Sequence, residues 1–455
     1  MTTEILSRVQ FAFTVSFHIL FPALTIGLAG FLAFFEAMWL KTKDDVYLSL
    51  YKFWSKIFAL GFGTGVVTGL VLSFEIGANF NGFATKTGNV LGPLLAYEVL
   101  SAFFLEAGFL GIMLFGLNRV GKKLHFTSTA LVAAGTAMSA FWIIAVISWM
   151  QSPSGYLLKD GVFFVGNWID IIFNPTFFYR FVHVVLGSYL TAGFVILGVC
   201  AYFYLQKKHL EFAKTGFKNA IIALAILAPL QIFIGDLHGL AAFEQQPLKV
   251  AAMEGRWDTM AGAPFTIFAI PDAKAEKNNF EINLPKMGSL ILTHEMDGVV
   301  KGLKEVPADK RPNVALVFFS FRIMIGAGLL MLAIAFYGGY LLWRRKLIEK
   351  HRSFLKLCLY SLPVGFIATL SGWYVTEFGR QPWLVYGHVL TRDAVSKLPP
   401  QAVMTSLILF VLVYAVLLFS FVIYCVKTIK KGPEDHSKSD MPVDDPMSIR
   451  TPQGA

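Results

Sequence analysis

The sequence predicts an all-α, polytopic membrane protein with nine transmembrane helices in a bundle. Of its 455 residues, 56% are hydrophobic, 15% aromatic and only 15% charged, whereas soluble chains carry about 25% charged residues. Apolar stretches longer than ~18 residues recur, and one membrane span needs ~20 apolar residues. Because these stretches are continuous rather than alternating, a transmembrane β-barrel is excluded.

The apolar runs give the nine helices in order. The first run is too long for a signal peptide and has neither a basic leader nor a cleavage-like site, so we expect it to stay as helix one. The runs cover residues 11–40, 53–80, 93–117, 126–150, 176–205, 219–237, 314–343, 354–377 and 402–426.

Lysine and arginine in the connections predict the orientation, because positively charged loops stay in the cytoplasm. Five connections carry 22 of these residues and the three short connections between them carry 5. This asymmetry places the N-terminus outside and the C-terminus in the cytoplasm. It also accounts for the net charge of +10 without any nucleic-acid partner.

The long connection, residues 238–313, exceeds the ~60 residues over which loop charge decides sidedness, so we assign it to the outer face. The chain then divides into residues 1–237 with helices one to six, this outer loop, residues 314–428 with helices seven to nine, and a cytoplasmic tail. The tail, residues 429–455, is polar and contains proline, which predicts disorder.

Side chains that can bind a metal or carry a charge indicate function when they lie inside the membrane, because their transfer into lipid costs free energy. Of nine histidines, only His18 and His183 lie well inside apolar runs; we assign the other seven to loops, helix ends or the tail. At ~1.5 Å per residue, His18 and His183 lie about 10 Å from the outer ends of their helices, Glu98 about 8 Å and Met324 about 15 Å. Glu377 ends helix eight on the same side. A shared depth predicts one site.

Neutral imidazole, thioether and carboxylate in an apolar bundle are ligands for haem iron, for which His alone or His with Met is a common axial set. The three cysteines stand singly, so thiolate, zinc and c-type haem sites have no support. Arg322, two residues before Met324, and Arg380, near Glu377, can neutralise haem propionates. An ion pair between Glu377 and Arg380 is the alternative.

Glu98 and Glu106 share one predicted helix, about 80° apart around its axis and ~12 Å along it. Carboxyl groups in such surroundings suit a proton relay. Two protonated carboxyls bonded to helix carbonyls are the structural alternative.

Five segments together resemble subunit I of the cytochrome bd-type quinol oxidases, in the same order along the chain. The outer loop is short and begins with GDLHGL, as in the short-loop, cyanide-insensitive branch of that family. The segments are LSRVQFAFTVSFHILF, EVLSAFFLEAGFLG, EQQPLKVAAMEGRW, FFSFRIMIGAG and GWYVTEFGRQPW.

The resemblance implies three haems. His183 and Met324 match the axial pair of a low-spin haem b. His18 and Glu377 match the axial ligands of haem d and a high-spin haem b; we assign His18 to haem d and Glu377 to haem b, and the reverse stays open. Glu98 matches the acid beside haem d, as a further candidate ligand, and a third haem b in place of haem d also stays open.

The remaining matches concern protons, propionates and quinol. Glu106 matches the next group on the proton route to Glu98, and Trp373 an aromatic side chain among the haems. Two arginines match propionate partners, and two loop residues match groups implicated in quinol binding and oxidation. These are Arg322, Arg380, Lys249 and Glu254.

The predicted function is the catalytic subunit of a terminal oxidase in the bacterial inner membrane. It oxidises ubiquinol or menaquinol outside and reduces O2 to water with cytoplasmic protons, building a proton motive force without pumping. The resemblance implies two partner subunits, a subunit II and a small single-helix subunit. The other partners are quinol, O2 and the lipid bilayer. The alternatives are a cation-coupled transporter and an electron-relay anchor with one haem b, which needs only His183 and Met324.

Overall fold

The computed structural model describes residues 2–345 and 348–434. Within these residues, nine helical segments are long and apolar enough to cross a membrane, in agreement with the predicted all-α class. They are Thr3–Thr42, Asp45–Asn79, Asn81–Phe115, Lys122–Gln151, Phe177–Gln206, Leu210–Gln245, Ala308–Trp343, Arg352–Phe378 and Pro400–Lys431.

Several spans consist of two helices joined by a short break. The third span contains a π-helical turn, Glu98–Phe103, between two α-helices. The α-helices are α1 (Thr3–His18), α2 (Leu20–Thr42), α3 (Asp45–Asn79), α4 (Asn81–Tyr97), α5 (Phe104–Phe115), α6 (Lys122–Gln151), α7 (Trp168–Ile172), α8 (Phe177–Gln206), α9 (Leu210–Gln245), α10 (Pro247–Met253), α11 (Met287–Thr293), α12 (Val314–Trp343), α13 (Arg352–Tyr360), α14 (Val364–Phe378) and α15 (Pro400–Lys431).

The strands lie in the connections and pair only as two-stranded antiparallel sheets among the described residues: β1 with β2, β3 with β6, β4 with β5, and β7 with β8. Their bounds are β1 (Tyr156–Lys159), β2 (Val162–Val165), β3 (Met260–Ala261), β4 (Phe265–Asp272), β5 (Lys277–Leu284), β6 (Val299–Val300), β7 (Trp383–Val385) and β8 (Val389–Leu390).

The break between α1 and α2 falls directly after His18, where the sequence predicts one continuous helix. Pro22 explains its position. A proline has no N–H to donate to the carbonyl four residues earlier, which here belongs to His18. The helix therefore ends at this histidine and resumes at Leu20.

Helix α8 is the centre of the bundle, with 78% of its apolar window buried. It packs against α2, α6, α9, α13 and α14. Glycines allow the close approach: a Cβ on Gly27 of α2 would lie 2.2 Å from the Ser188 backbone O, and one on Gly365 of α14 would lie 2.5 Å from Thr191 Cα. Small residues at such contacts are the usual device by which membrane helices pack closely.

Four helices form a closed ring, in which α8 packs on α9, α9 on α12, α12 on α14, and α14 on α8. Helices α8 and α12 therefore occupy opposite corners. A four-helix arrangement of this kind places side chains of facing helices towards a common interior, where bundles hold cofactors.

The connections gather at two opposite ends of the bundle. At one end Thr3 Oγ1 donates to Leu398 O, Ser396 N to Asn79 O, and Lys249 Nζ to Gln151 Oε1. At the other end Lys56 Nζ lies 2.6 Å from Glu434 Oε1. These are the two groups of connections that the lysine and arginine counts separate. Which end faces the cytoplasm stays a prediction.

Several predicted helices begin earlier in the structure, such as Thr3–Thr42 for the run 11–40, and two boundaries between the predicted segments of the chain shift. Helix α9 continues to Gln245, so the long connection begins at residue 246 rather than 238. Helix α15 continues to Lys431, three residues into the predicted tail. The predicted disorder of residues 435–455 lies outside the described residues.

We expect Gly27→Ala to lower the thermal unfolding temperature of the detergent-solubilised protein, because its Cβ would force α2 away from α8. Gly63→Ala is the matched control, since a Cβ there meets nothing within 4 Å. An alanine is intrinsically better than glycine in a helix by about 1 kcal/mol, so this control should unfold no lower than the parent. Equal unfolding temperatures for both variants would contradict the packing described.

Candidate functional site

His18 is held by its Nδ1 atom, 2.9 Å from the Thr68 hydroxyl of α3. That hydroxyl donates its own proton to the backbone O of Thr64 or Gly65, at 2.9 and 3.1 Å. When the Thr68 hydroxyl gives its single proton to one of these carbonyls, His18 Nδ1 is the donor to Thr68. The lone pair of this neutral ring is then on Nε2, the form in which a histidine binds a metal.

His183 lies on the side of α8 that faces α9. A Cβ on Gly235 would be 3.2 Å from His183 Cε1, so this glycine allows the ring to approach the helix. Gln231 Nε2 lies 3.3 Å from His183 Nε2 and donates to the His183 backbone O. His183 Nδ1 and Gln231 Oε1 are buried and have no hydrogen-bond partner among the described residues.

His238 lies beside His183, with the two ring centroids 5.6 Å apart. The apolar run that ends at residue 237 predicts His238 in the long connection; that prediction is wrong, since α9 continues for seven residues beyond His238. The spacing of Gln231, Gly235 and His238 on one helical face is the signal that could have revealed it.

Met324 is on α12, at the corner of the helix ring opposite His183. A Cβ on Gly372 of α14 would lie 3.1 Å from Met324 Sδ. Trp373, the next residue on α14, is half-buried. His183 and Met324 therefore lie on helices at opposite corners of one ring. That they form an axial pair stays a prediction.

Glu377 ends α14 in a buried polar cluster. Its carboxylate accepts from Arg380 Nη2 and from Gln151 Nε2, the latter at 3.0 Å. Gln151 Oε1 in turn accepts from Lys249 Nζ at 2.5 Å, and Gln246 Oε1 accepts from the same Nζ at 2.6 Å. The alternative of an ion pair between Glu377 and Arg380 is therefore present, inside a larger network.

Cations outnumber the carboxylate in this cluster. Arg180 of α8, within electrostatic range of Glu377 and Arg380, is 4% exposed, Arg380 2% and Lys249 3%. Burial lowers the pKa of Lys249 well below its ordinary value, and both arginines lower it further. Two guanidinium groups then face one carboxylate, and an unmatched buried charge is costly. The cluster has the character of an anion site.

Glu254 follows α10 and pairs with Arg322 rather than with Lys249. Arg322 Nη2 lies 3.1 Å from Glu254 Oε2, and its Nε donates to the backbone O of Thr266 at 2.8 Å. Burial raises the pKa of Glu254 above its ordinary value, although Arg322 and Arg256 act in the opposite direction. The structure thus separates the two predicted quinol residues, one at each side of α10.

Arg322 is also enclosed by aromatic rings. Its guanidinium carbon lies 4.8, 4.5 and 5.2 Å from the ring centroids of Phe265, Phe318 and Phe321. That Arg322 binds a haem propionate stays a prediction, since its partners in the structure are Glu254, the Thr266 backbone O and these rings.

Glu98 and Glu106 both face α6. Glu98 Oε1 accepts from Ser139 Oγ at 2.9 Å, and a Cβ on Gly135 would lie 2.6 Å from Glu106 Cγ. The predicted angle of about 80° between them is wrong, because the π-helical turn that begins at Glu98 absorbs about one residue. Eight residues then advance about as far round the axis as two α-helical turns, which aligns both acids on one face.

The helices of the predicted ligands are joined directly. Ser16 Oγ, two residues before His18, lies 3.0 Å from Tyr374 Oη, three residues before Glu377. This hydrogen bond links α1 to α14. His18 and Glu377 therefore belong to adjoining parts of one region.

Three residues of the cluster, Arg180, Gln151 and Gln246, were missed by sequence reasoning. Arg180 lies in the first turn of α8, Gln151 ends α6 and Gln246 follows α9, so all three are close to helix ends. The position of Arg180, three residues before His183, was the available signal for a cation in the same region.

The residues fit haem groups. A neutral imidazole with its lone pair on Nε2, a buried histidine with an orphaned ring nitrogen, a thioether and a carboxylate are all axial ligand types. The unbalanced guanidinium groups fit propionate carboxylates. Which haem each residue holds stays a prediction.

Comparison with known proteins gives matches over nearly the whole chain. Residues 6–433 match the family described as cytochrome bd terminal oxidase subunit I. Cytochrome bd ubiquinol oxidase subunit 1 of Bacillus subtilis is 38% identical over 461 residues, with 98% of each chain covered. Cytochrome bd-II ubiquinol oxidase subunit 1 of Escherichia coli is 33% identical, with 94% of this chain and 96% of the relative covered.

Two further similarities concern the substrate and the fold. A putative cytochrome bd menaquinol oxidase subunit I of Bacillus subtilis is 30% identical, with 96% and 98% covered. A chain of the bd oxidase structure from Geobacillus thermodenitrificans superposes with a TM-score of 0.89 at 27% identity, with 95% of this chain and 99% of that chain covered. The chain belongs to the cytochrome bd terminal oxidase subunit I family.

Proposed function

We propose that this protein is the haem-bearing catalytic subunit of a terminal quinol oxidase, which oxidises quinol at the outer face and reduces O2 to water with protons from the cytoplasm. The names of its relatives include both ubiquinol and menaquinol oxidases, so the proposal names quinol as the substrate class. Charge separation then needs no pump, because protons leave and enter at opposite ends of the bundle.

One observation carries the proposal. At the end of the bundle where α10 lies, a buried cluster with two guanidinium groups and one carboxylate lies on one side of α10, and Glu254 with its partner Arg322 follows α10. A site for a cofactor that carries carboxylate groups therefore lies beside a buried carboxylate that can accept protons. Neither alternative, a transporter or an anchor with one haem, accounts for His18 and Glu377 as further ligand-type residues.

His183 and Met324 would hold the low-spin haem b, and His18 and Glu377 the other two haems, with Arg380 and Arg180 at their propionates. When bound, haem supplies iron that accepts electrons from quinol and, at an open position, binds and reduces O2. Thr68 fixes the tautomer of His18 by accepting from Nδ1, a contact of the kind that tunes a metal ligand.

Glu254 and Lys249 act on quinol protons from the two sides of α10. Glu254 accepts a proton from a quinol hydroxyl as a general base, because burial brings its pKa closer to neutral pH. Lys249, whose pKa is lowered by burial, orients the second quinol oxygen and can also take a proton. Arg322 holds the Glu254 carboxylate in place.

Protons for water formation travel through Glu106 to Glu98. Both carboxyls face α6, and Ser139 holds that of Glu98. Glu106 is the deeper of the two towards the opposite end of the bundle, so protons pass from it to Glu98.

Partner subunits fit the least buried surfaces. Only 6% of the apolar window of α15 and 17% of that of the span Asn81–Phe115 are buried within this chain. We propose that a second large subunit of the same oxidase and the surrounding lipid cover them, in a bacterial inner membrane. A small single-helix subunit is a further proposed partner.

We expect Glu254→Gln to lower quinol-dependent O2 consumption by the purified complex by about 10²-fold, the usual contribution of a general base. Haem content should be unchanged. Asp297→Asn is the control, because this exposed loop carboxylate pairs only with Lys286 among the described residues. Full activity of Glu254→Gln would rule out Glu254 as the base.

The pH profile of kcat/KM tests the same carboxylate. A general base works when deprotonated, so the acidic limb should lie above the ordinary range of a glutamate. Arg322→Gln removes a cation that favours the charged carboxylate, so the pKa of Glu254 should rise and the limb should move to higher pH. A limb that stays in place or moves to lower pH would show that another group titrates.

We expect Thr68→Val to reduce the haem content of the purified complex, because His18 Nδ1 loses its acceptor. Loss of the hydrogen-bond partner of a metal-binding histidine typically lowers metal affinity or activity by about 10- to 100-fold. Pyridine haemochrome titration measures it. Thr64→Val is the matched control one turn away, since the Thr64 hydroxyl donates to the backbone O of Leu60; equal haem content in both variants would contradict the role of Thr68.

A further inference from the structure

We propose that Glu36 and His125, a buried pair at the end of the bundle opposite α10, take up protons and deliver them towards Glu106. The inference rests on the proposed function, because it supplies the protons that O2 reduction consumes. It adds a relay upstream of the two carboxyls already described.

The pair is completely enclosed by helices α2, α3 and α6. His125 Nδ1 lies 2.6 Å from Glu36 Oε1, and the Thr129 hydroxyl donates to Glu36 Oε2 at 2.5 Å. Glu36 is 1% exposed, and His125 and Thr129 are 0% exposed. An acid and a base are thus hydrogen-bonded inside an apolar bundle, with a hydroxyl on the far side of the acid.

The His125 Nε2 atom is the reason to assign this pair a role beyond holding the helices together. The atom is buried and has no hydrogen-bond partner among the residues that the structure describes. One turn towards the surface, the exposed Lys122 lies over the Trp39 ring at 4.9 Å from its centroid. The orphaned nitrogen is therefore one helical turn from the surface, where water can supply a proton.

Tyr51 continues the chain of polar groups from the pair to α5. Its hydroxyl lies 3.3 Å from Thr129 Oγ1 and donates to the backbone O of Met113 at 2.8 Å. Met113 and Glu106 are the two buried residues of α5. They are seven residues apart, so they share one face of the helix, about 10 Å from each other.

Each group gains and loses one proton. A proton from water binds His125 Nε2, and the Nδ1 proton moves to Glu36 Oε1. Rotation of the Glu36 carboxyl group brings that proton to the Thr129 hydroxyl, whose own proton goes to Tyr51. The Tyr51 hydroxyl proton then moves through water along the buried face of α5 to Glu106, and rotation of the His125 ring, the Glu36 carboxyl group and the hydroxyl groups restores the starting state.

The test uses the complete oxidase complex in membrane vesicles, with quinol-driven O2 consumption measured in H2O and D2O. Glu36→Gln keeps the shape of the side chain but cannot carry a proton, and Tyr51→Phe keeps the ring but removes the hydroxyl. We expect O2 consumption to fall roughly tenfold or more in both variants, with a larger solvent isotope effect. Reduction of the haems by quinol without O2 should keep the parent rate.

Ser128→Ala is the matched control, because Ser128 is as buried as Thr129 and its hydroxyl donates to the backbone O of Leu124. It should keep the parent rate and isotope effect. The relay is overturned if Glu36→Gln and Tyr51→Phe also keep both values. A parent complex that consumes no O2 with quinol would instead overturn the proposed function, and the relay with it.

Discussion

An ionisable side chain inside an apolar bundle must find a partner, and this requirement organises the whole structure. Glu254 pairs with Arg322, Glu377 with Arg380, and Glu36 with His125. Each pair joins different parts of the chain or fixes the end of a helix. Where a buried ring nitrogen has no hydrogen-bond partner among the described residues, as for His183 Nδ1 and His125 Nε2, the molecule presents a place where a cofactor or a proton can bind.

These groups are distributed so that the two ends of the bundle carry different chemistry. The loop after α9, the cluster around Glu377 and the pair of Glu254 with Arg322 lie at one end. Glu36 and His125 lie at the other, and Glu106 and Glu98 stand between on the face of α6. In the proposed function, quinol chemistry at one end and proton uptake at the other would together separate charge, because the residues for the two processes lie at opposite ends.

The fold class and the ligand-type residues were predictable, because nine apolar runs of sufficient length admit few arrangements and because His18, His183 and Met324 stand out in apolar surroundings. The break after His18 was not predicted, although Pro22 encodes it. The alignment of Glu98 with Glu106 could not be predicted, since a π-helical turn depends on packing against α6. His238, Arg180 and Glu36 escaped notice because their importance lies in contacts between helices, which periodicity along one helix does not reveal.

The central claim is that side chains from α1, α8, α12 and α14 hold haem at one end of the bundle. Haem stoichiometry of the purified complex, by pyridine haemochrome and iron determination, tests it most directly. The account predicts three haems per chain in the parent protein, and loss of the low-spin spectrum in Met324→Leu with the other haems retained. A complex without haem, or with one haem that Met324→Leu leaves unchanged, would contradict it.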